Sequence, residues 1–476
     1  MKKILLTAAV LIGISGLNAQ VIKDPGTYAP NTEEGVTFES EWIYSLQTEN
    51  YTAATHPYLA NVGGARTATL ANGKLYVGER VEVKEGETLV GYEFYLNVMK
   101  GDDGTLLERK RLTDDLFKKE DGTYVAYPLN STRSDANGAL VFMNMTLNIQ
   151  TSNFQVWVMP NEFMMPIKLL DYVNDFGASA AMRIDYANVY GDVFGDGYII
   201  AVIGGSDATV ATTILRWPIT GGVVAEQPEM IFANEFSPAV DFNQAPVTTF
   251  GLAPCAFPVN DRTFYVDGNN TYPTKYDADG NIVDKFENAP EGTPFPVTGA
   301  NGVLEFSIGS QKFLIAGLSV HAASAYEKNS FGIYKMGAGG KFAGMKHLYN
   351  FPSAGLGGAS NASYVMLPFV DKIDDTSVYV YVYALANGIA KYKLTYGTID
   401  GIEDQFGDGG LTIGYENGQF VFSSTVASAE VYSIAGAKVA EAKNVSEMTA
   451  NAAQGVYIVK AATVEGNVVT KKVMVK

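Results

Sequence analysis

Short runs of alternating apolar and polar residues fill most of the chain, and tight-turn residues punctuate them. One kind of turn recurs: Asp102-Asp103-Gly104, Gly221-Gly222, Asp279-Gly280 and Gly339-Gly340. Their last glycines lie 118, 58 and 60 residues apart, and Pro160-Asn161 stands near the middle of the double step. Asp-Gly and Gly-Gly between β-like runs suit hairpins whose central residues take positive φ. A strand candidate follows each turn: Leu106–Arg111, Ile167–Tyr172, Val223–Phe232, Ile282–Phe286 and Phe342–Phe351. Each unit then has a stronger apolar run: Leu75–Val77, Leu140–Met143, Tyr198–Ile203, Phe264–Val266, Phe313–Ala316 and Val378–Tyr383. A third run precedes the next turn: Tyr92–Val98, Phe154–Met159, Thr213–Pro218, Thr274–Tyr276, Phe331–Lys335 and Ile389–Leu394.

No stretch between these runs has helical periodicity, so the pattern predicts an all-β chain built from a repeated unit. Six units fit between about residues 40 and 396. The sixth ends at Leu394 without an outer strand, while an orphan strand, Glu41–Gln47, precedes the first. Pairing the two closes a ring and removes exposed sheet edges. The expected fold is a six-bladed β-propeller over 40–396, with seven blades or an open double sheet as alternatives.

Beyond the repeats, residues 397–410 are acidic and glycine-rich and read as a linker. Strands resume at 411–476, enough for a small β-sandwich. Three segments there come in a fixed order: Ala429–Ala440, Gly455–Lys460 and Lys471–Lys476. Together they resemble the C-terminal sorting domain of type IX secretion cargo, a system of Bacteroidetes. Gly436, Gly455, Tyr457, Lys471 and Lys472 fall in the matching segments. The resemblance implies the type IX machinery as a partner, delivery to the outer-membrane surface or beyond it, and usually removal of the domain. An adhesive β-domain that stays in place is the alternative. By its repeat pattern alone, the preceding region resembles propeller families of gut and oral Bacteroidetes, a likeness that implies no reaction.

The first nineteen residues read as a signal peptide: Lys2 and Lys3, an apolar stretch from Ile4 to Ile14, then Ala19 at the cleavage position. Residues 20–39 form an N-terminal segment. No later apolar run is long enough for a transmembrane helix.

Charge narrows the choice of partner. Lys and Arg number 34 against 51 Asp and Glu, a net charge of −17. Such an acidic chain lacks the basic footprint of a nucleic-acid binder. One cysteine, Cys255, forms no internal disulfide, and three histidines make a poor metal site. No Gly-x-Ser-x-Gly elbow and no phosphate-cradling loop occurs in the mature chain. The sequence therefore assigns no catalytic residue, cofactor or metal. Asp277-Ala278-Asp279-Gly280-Asn281 and Asp192–Gly197 have the look of calcium loops but coincide with turns.

Three leads concern binding. Arg66, Arg133 and Arg183 precede the apolar runs of units one, two and three, where a propeller would lean them into one funnel as an anion site. Neighbouring acids such as Asp135 and Asp185 could instead neutralise them. Asn269, Asn270 and Tyr272 mix amides with an aromatic ring, a set that suits a sugar. His56 and His321 lie in loops that could face a ligand or simply pack. The expected function is an exported, non-catalytic propeller that binds a glycan or a protein. The alternatives are an extracellular polysaccharide lyase or glycosidase, and a structural subunit of a surface assembly.

Overall fold

The computed structural model describes residues 21–61, 63–173, 182–205, 212–233, 249–251, 253–268, 271–285, 302–318, 329–359, 365–397, 411, 413–416, 418–433, 436–450, 452–464 and 468–475. The signal-peptide residues 1–19, nearly all of the linker, and Asn269, Asn270 and His321 lie outside them.

Among the described residues, strands between Val36 and Tyr396 form six antiparallel sheets in chain order. The first contains Ala68–Ala71, Lys74–Glu85, Thr88–Lys100 and Leu106–Leu112, each paired with the next. The second repeats this with Ser131–Ser134, Leu140–Met143, Phe154–Met159 and Ile167–Tyr172. The later sheets begin at Arg183–Gly191, Cys255–Pro258, Val303–Ile308 and Met366–Lys372. In the sixth sheet the outermost strand is Val36–Ser45, paired with Gly388–Tyr396. The orphan strand thus fills the vacant outer place, and the first strand of the sixth sheet adjoins that of the first. The fold is an all-β propeller.

The sequence reading identified three strands per unit and missed the fourth. Each strong apolar run is the second strand of its sheet, and the innermost strand precedes it. Several innermost strands are short and built from small or polar residues, as in Ala68-Thr69-Leu70-Ala71 and Ser131-Thr132-Arg133-Ser134. They carry little apolar alternation because they crowd against one another around the axis, where small side chains are buried on both faces. Arg133 and Arg183 consequently lie within innermost strands rather than in loops before them.

Apolar cores fill the space between neighbouring sheets. Phe154 and Trp217 stack at 5.1 Å between the second and third sheets, and both are buried. The supposed calcium loops are turns. Asp277 Oδ1 accepts backbone N–H bonds from Asp279 and Asn281, each at 2.9 Å. Asp192 Oδ1 accepts one from Phe194 at 2.8 Å.

The chain divides into two compact units. One comprises Phe38–Thr395 with an N-terminal stretch ending at Ala29, and the other comprises Tyr396–Lys476 with Pro30–Thr37. The N-terminal segment is therefore shared between the two units. In the second unit a single hydrogen-bonded sheet, Ile413–Glu416, Gln419–Ser433, Lys438–Thr449, Gly455–Thr463 and Val468–Val475, encloses its own core around Phe420, Val431 and Val459. Its register shifts between Val421 and Val426, where the long second strand changes partners. Lys438–Thr449 was not foreseen, because its exposed, charged residues give almost no apolar pattern.

Candidate functional site

An innermost strand begins at one face of the propeller, here the leading face, and ends at the other, the trailing face. Ala68 pairs with Val77, so Arg80, three residues further along the second strand, projects beyond the start of Ala68–Ala71 on the leading face. Ser131 pairs with Met143, which brings Tyr127 and Met145 to the same face. Arg183 opens the innermost strand of the third sheet.

These residues converge. The Arg66 and Arg80 guanidinium groups both lie over the Tyr127 ring, with Cζ 4.4 and 3.8 Å from its centroid. Arg80 also lies 4.5 Å from the Tyr92 centroid. Arg66 and Arg183 both approach Met145 Sδ, at 3.5 and 3.8 Å. Cation–π contact holds a guanidinium in place while leaving its N–H edge available for an anion.

The local chain is built for this arrangement. Pro57 starts a one-turn helix, Pro57–Ala60, and Asn61 then donates through Nδ2 to Glu79 Oε1 at 2.9 Å and the Arg80 carbonyl at 3.0 Å. The Arg80 N–H donates to the Gly64 carbonyl at 3.0 Å, and a Cβ on Gly64 would come within 1.8 Å of the Arg80 carbonyl oxygen. Only glycine permits that approach. Tyr127 takes φ of 46°, a left-handed conformation costly for a bulky residue, and the Met145 N–H donates to its carbonyl at 3.3 Å.

Charge is distributed unevenly. Arg183 is neutralised by Asp185, whose Oδ1 accepts from Nε at 2.9 Å and also from the terminal guanidinium nitrogen. Asp185 Oδ2 accepts the Ala253 N–H at 3.0 Å. Glu79 is also engaged: it accepts from Asn61, from Asn97 at 3.0 Å and from Arg109 Nε at 3.1 Å. Arg66 and Arg80 have no carboxylate partner among the described residues, and Arg80 Nε is buried without a hydrogen-bond partner. A cleft of about 480 Å³ opens beside this cluster, bounded by Asn61, Gly64, Glu79, Arg80, Glu82 and Arg109.

The expected three-arginine funnel is only partly realised. Arg66 and Arg183 meet at Met145, but Arg133 is buried in the central channel, where its terminal nitrogen donates to its neighbour's carbonyl, Thr132 O, at 3.1 Å. It does not pair with Asp135, whose carboxylate accepts the backbone N–H groups of Asn137, Ala139 and Val193. Arg80 and Tyr127 were overlooked. The alternation Gly78-Glu79-Arg80-Val81-Glu82-Val83 continues the strand past Val77 and could have revealed Arg80.

His56 is buried, its Nε2 donating to the Gly104 carbonyl at 3.1 Å and its ring 4.1 Å from that of Tyr44. Burial pushes its imidazole below the ordinary range, so it packs as a neutral ring. Tyr272 is half-buried against the propeller core, and its carbonyl accepts from the Thr271 and Thr274 hydroxyls at 2.9 and 3.0 Å. Its partners in that lead, Asn269 and Asn270, lie outside the described residues, as does His321.

No protein-family model matches the chain, and no curated protein does. Solved structures share its architecture. A DUF4623 family protein from Bacteroides eggerthii superposes with a TM-score of 0.51 at 14% identity, over 78% of this chain and 77% of that one. Looser superpositions are an α-L-arabinofuranosidase from Fusarium graminearum, with TM-score 0.43, 10% identity and 76% and 98% coverage, and a subtype N11 neuraminidase-like protein of an influenza virus from a flat-faced bat, with TM-score 0.40, 11% identity and 78% and 98% coverage. At these identities the likeness concerns the fold.

Proposed function

We propose that this chain is an exported β-propeller that binds an anionic ligand on its leading face, a carboxylate-bearing glycan or protein, without transforming it. One observation carries the reading: two arginines without carboxylate partners among the described residues are fixed over one tyrosine ring, beside an open cleft. Guanidinium edges pair with carboxylates in a planar fork. Of the two carboxylates that line the cleft, Glu79 is held by three donors and Glu82 is paired with Lys84, which favours supporting roles over proton transfer.

Export and type IX delivery rest on the sequence. They draw support from the second unit, where two of the three motif segments lie on adjoining strands, with Lys471 opposite Val459 and Tyr457 opposite Val473. Gly436 sits in the turn after the long strand with φ of 81°, and the Tyr457 hydroxyl donates to the Ala453 carbonyl at 2.9 Å.

The test is a screen of residues 20–476 against acidic and neutral glycans and matrix proteins, with product analysis on every hit. Saturable binding of an acidic ligand, left intact and weakened at least tenfold by Arg66→Ala and by Arg80→Ala, is the expected result. Cleaved product would replace binding with catalysis. Unchanged affinity in both variants would remove the anion platform from the reading.

A further inference from the structure

The six innermost strands surround an open cavity of about 430 Å³, and each contributes a wall residue: Thr69, Arg133, Asn188, Phe257, Val303 and Leu367. Arg133 is the unusual member. Its residue is 5% exposed, yet no carboxylate pairs with it among the described residues. From the second sheet its side chain reaches the Cys255 thiol on the innermost strand of the fourth. That thiol does not balance the charge, because burial pushes its pKa up to about 11 and leaves it neutral. Asp135, the nearest acid in sequence, is occupied by backbone N–H groups. A cation taken out of water without a counter-charge is costly, and proteins keep one where something else supplies that charge.

The remaining walls describe the missing partner. Leu70, Val189, Phe257, Val303, Phe306 and Leu367 are apolar, and the cavity is far larger than a monatomic ion. Lys372 also lines the cavity but is paired with Asp375 at 2.7 Å, which leaves Arg133 as the lining cation without a carboxylate partner among the described residues. Such a cation beside largely apolar walls matches a compact organic acid, its carboxylate on the guanidinium and its hydrocarbon body against the walls. Ser134 and Ser307, near the trailing ends of their strands, mark the way in, and Ser307 is exposed. We infer that the central channel is a second binding site, separate from the leading-face platform, that takes a small monocarboxylate with an apolar body against Arg133.

The test uses the chain of residues 20–476 with hexanoate and benzoate as probes, and hexanamide, chloride and sulfate as controls, read by calorimetry and thermal melting. Both carboxylates should bind saturably, about one per chain, and raise the melting temperature, while hexanamide should not. Arg133→Met should weaken carboxylate binding at least tenfold, and its ligand-free melting temperature should hold or rise because an unpaired buried cation is gone. Leu304→Trp, which narrows the cavity and leaves Arg133 in place, should also lose the carboxylates. Arg66→Ala and Arg80→Ala should leave them bound, which separates this site from the platform. Equal binding of hexanamide, binding of the inorganic ions alone, or carboxylate binding that survives Leu304→Trp would overturn the inference. So would loss of carboxylate binding in the Arg66 and Arg80 variants. If Arg133→Met does not fold, the Leu304→Trp result decides.

Discussion

The Tyr392 hydroxyl donates to Asp24 Oδ2 at 3.0 Å, joining two positions 368 residues apart. Asp24 also accepts from Tyr28, and from the Ser353 N–H and hydroxyl at 3.1 Å each, while its own N–H donates to Ser40 Oγ at 2.8 Å. The N-terminal segment is thereby fastened to the sheet that closes the propeller. Asp24→Ala would leave the buried Tyr392 hydroxyl without its acceptor, at a cost of about 2–3 kcal/mol. Urea denaturation should show that loss, and Asp24→Asn should recover part of it.

Burial, aided by Asp24, raises the pKa of Tyr392 well above the tyrosine range. A group raised in the folded state stabilises fully below its unfolded pKa, so this contribution persists up to about pH 10 and is lost at higher pH. Melting temperatures measured between pH 8 and 11 should fall at the alkaline end. Tyr392→Phe should flatten that fall, at the expense of some stability at neutral pH.

His56 gives the opposite sign. Its pKa is lowered chiefly by burial, with the Gly104 hydrogen bond opposing, so its stabilisation is present above the unfolded value near 6.5 and is lost as pH falls through the folded value. Its share of the slope is at most about 1.4 kcal/mol per pH unit. Denaturant midpoints between pH 7.5 and 5 should decline, and His56→Gln should shrink that decline.

Tyr127 separates binding from stability. Asparagine tolerates the left-handed conformation that strains tyrosine at φ of 46°. Tyr127→Asn should therefore preserve or raise the melting temperature while loosening Arg66 and Arg80 and weakening leading-face binding several-fold. Gly64→Ala should act differently, because its Cβ collides with the Arg80 carbonyl. A stability loss of about 1–3 kcal/mol should then accompany the loss of binding. Melting curves paired with titrations would separate the two variants.

These residues also show what the sequence could reveal. The second and third strands of each sheet were legible because they are buried and rich in Val, Ile, Tyr and Phe, as in Phe154–Met159. The vacancy after Leu394 and the orphan strand before residue 48 together gave the closure. The innermost strand of the second sheet was not legible, since Ser131–Ser134 has the composition of a loop. That omission placed Arg133 at the mouth of a funnel instead of inside the channel. Arg66 and Arg183 were found by their spacing, but their meeting at Met145 depends on how two sheets pack, which no local pattern encodes. Arg80 went unnoticed because the strand holding it continues past its apolar core into polar residues.

Among the described residues, the strand Val36–Ser45 has Gly388–Tyr396 as its partner in a sheet. During synthesis it emerges first and waits, its edge unpaired, until some 350 further residues have left the ribosome. The ring therefore works as a completeness check. A product truncated before Gly388 cannot form the last pairing and keeps two open edges that proteases and chaperones recognise, whereas a full-length chain hides both at once.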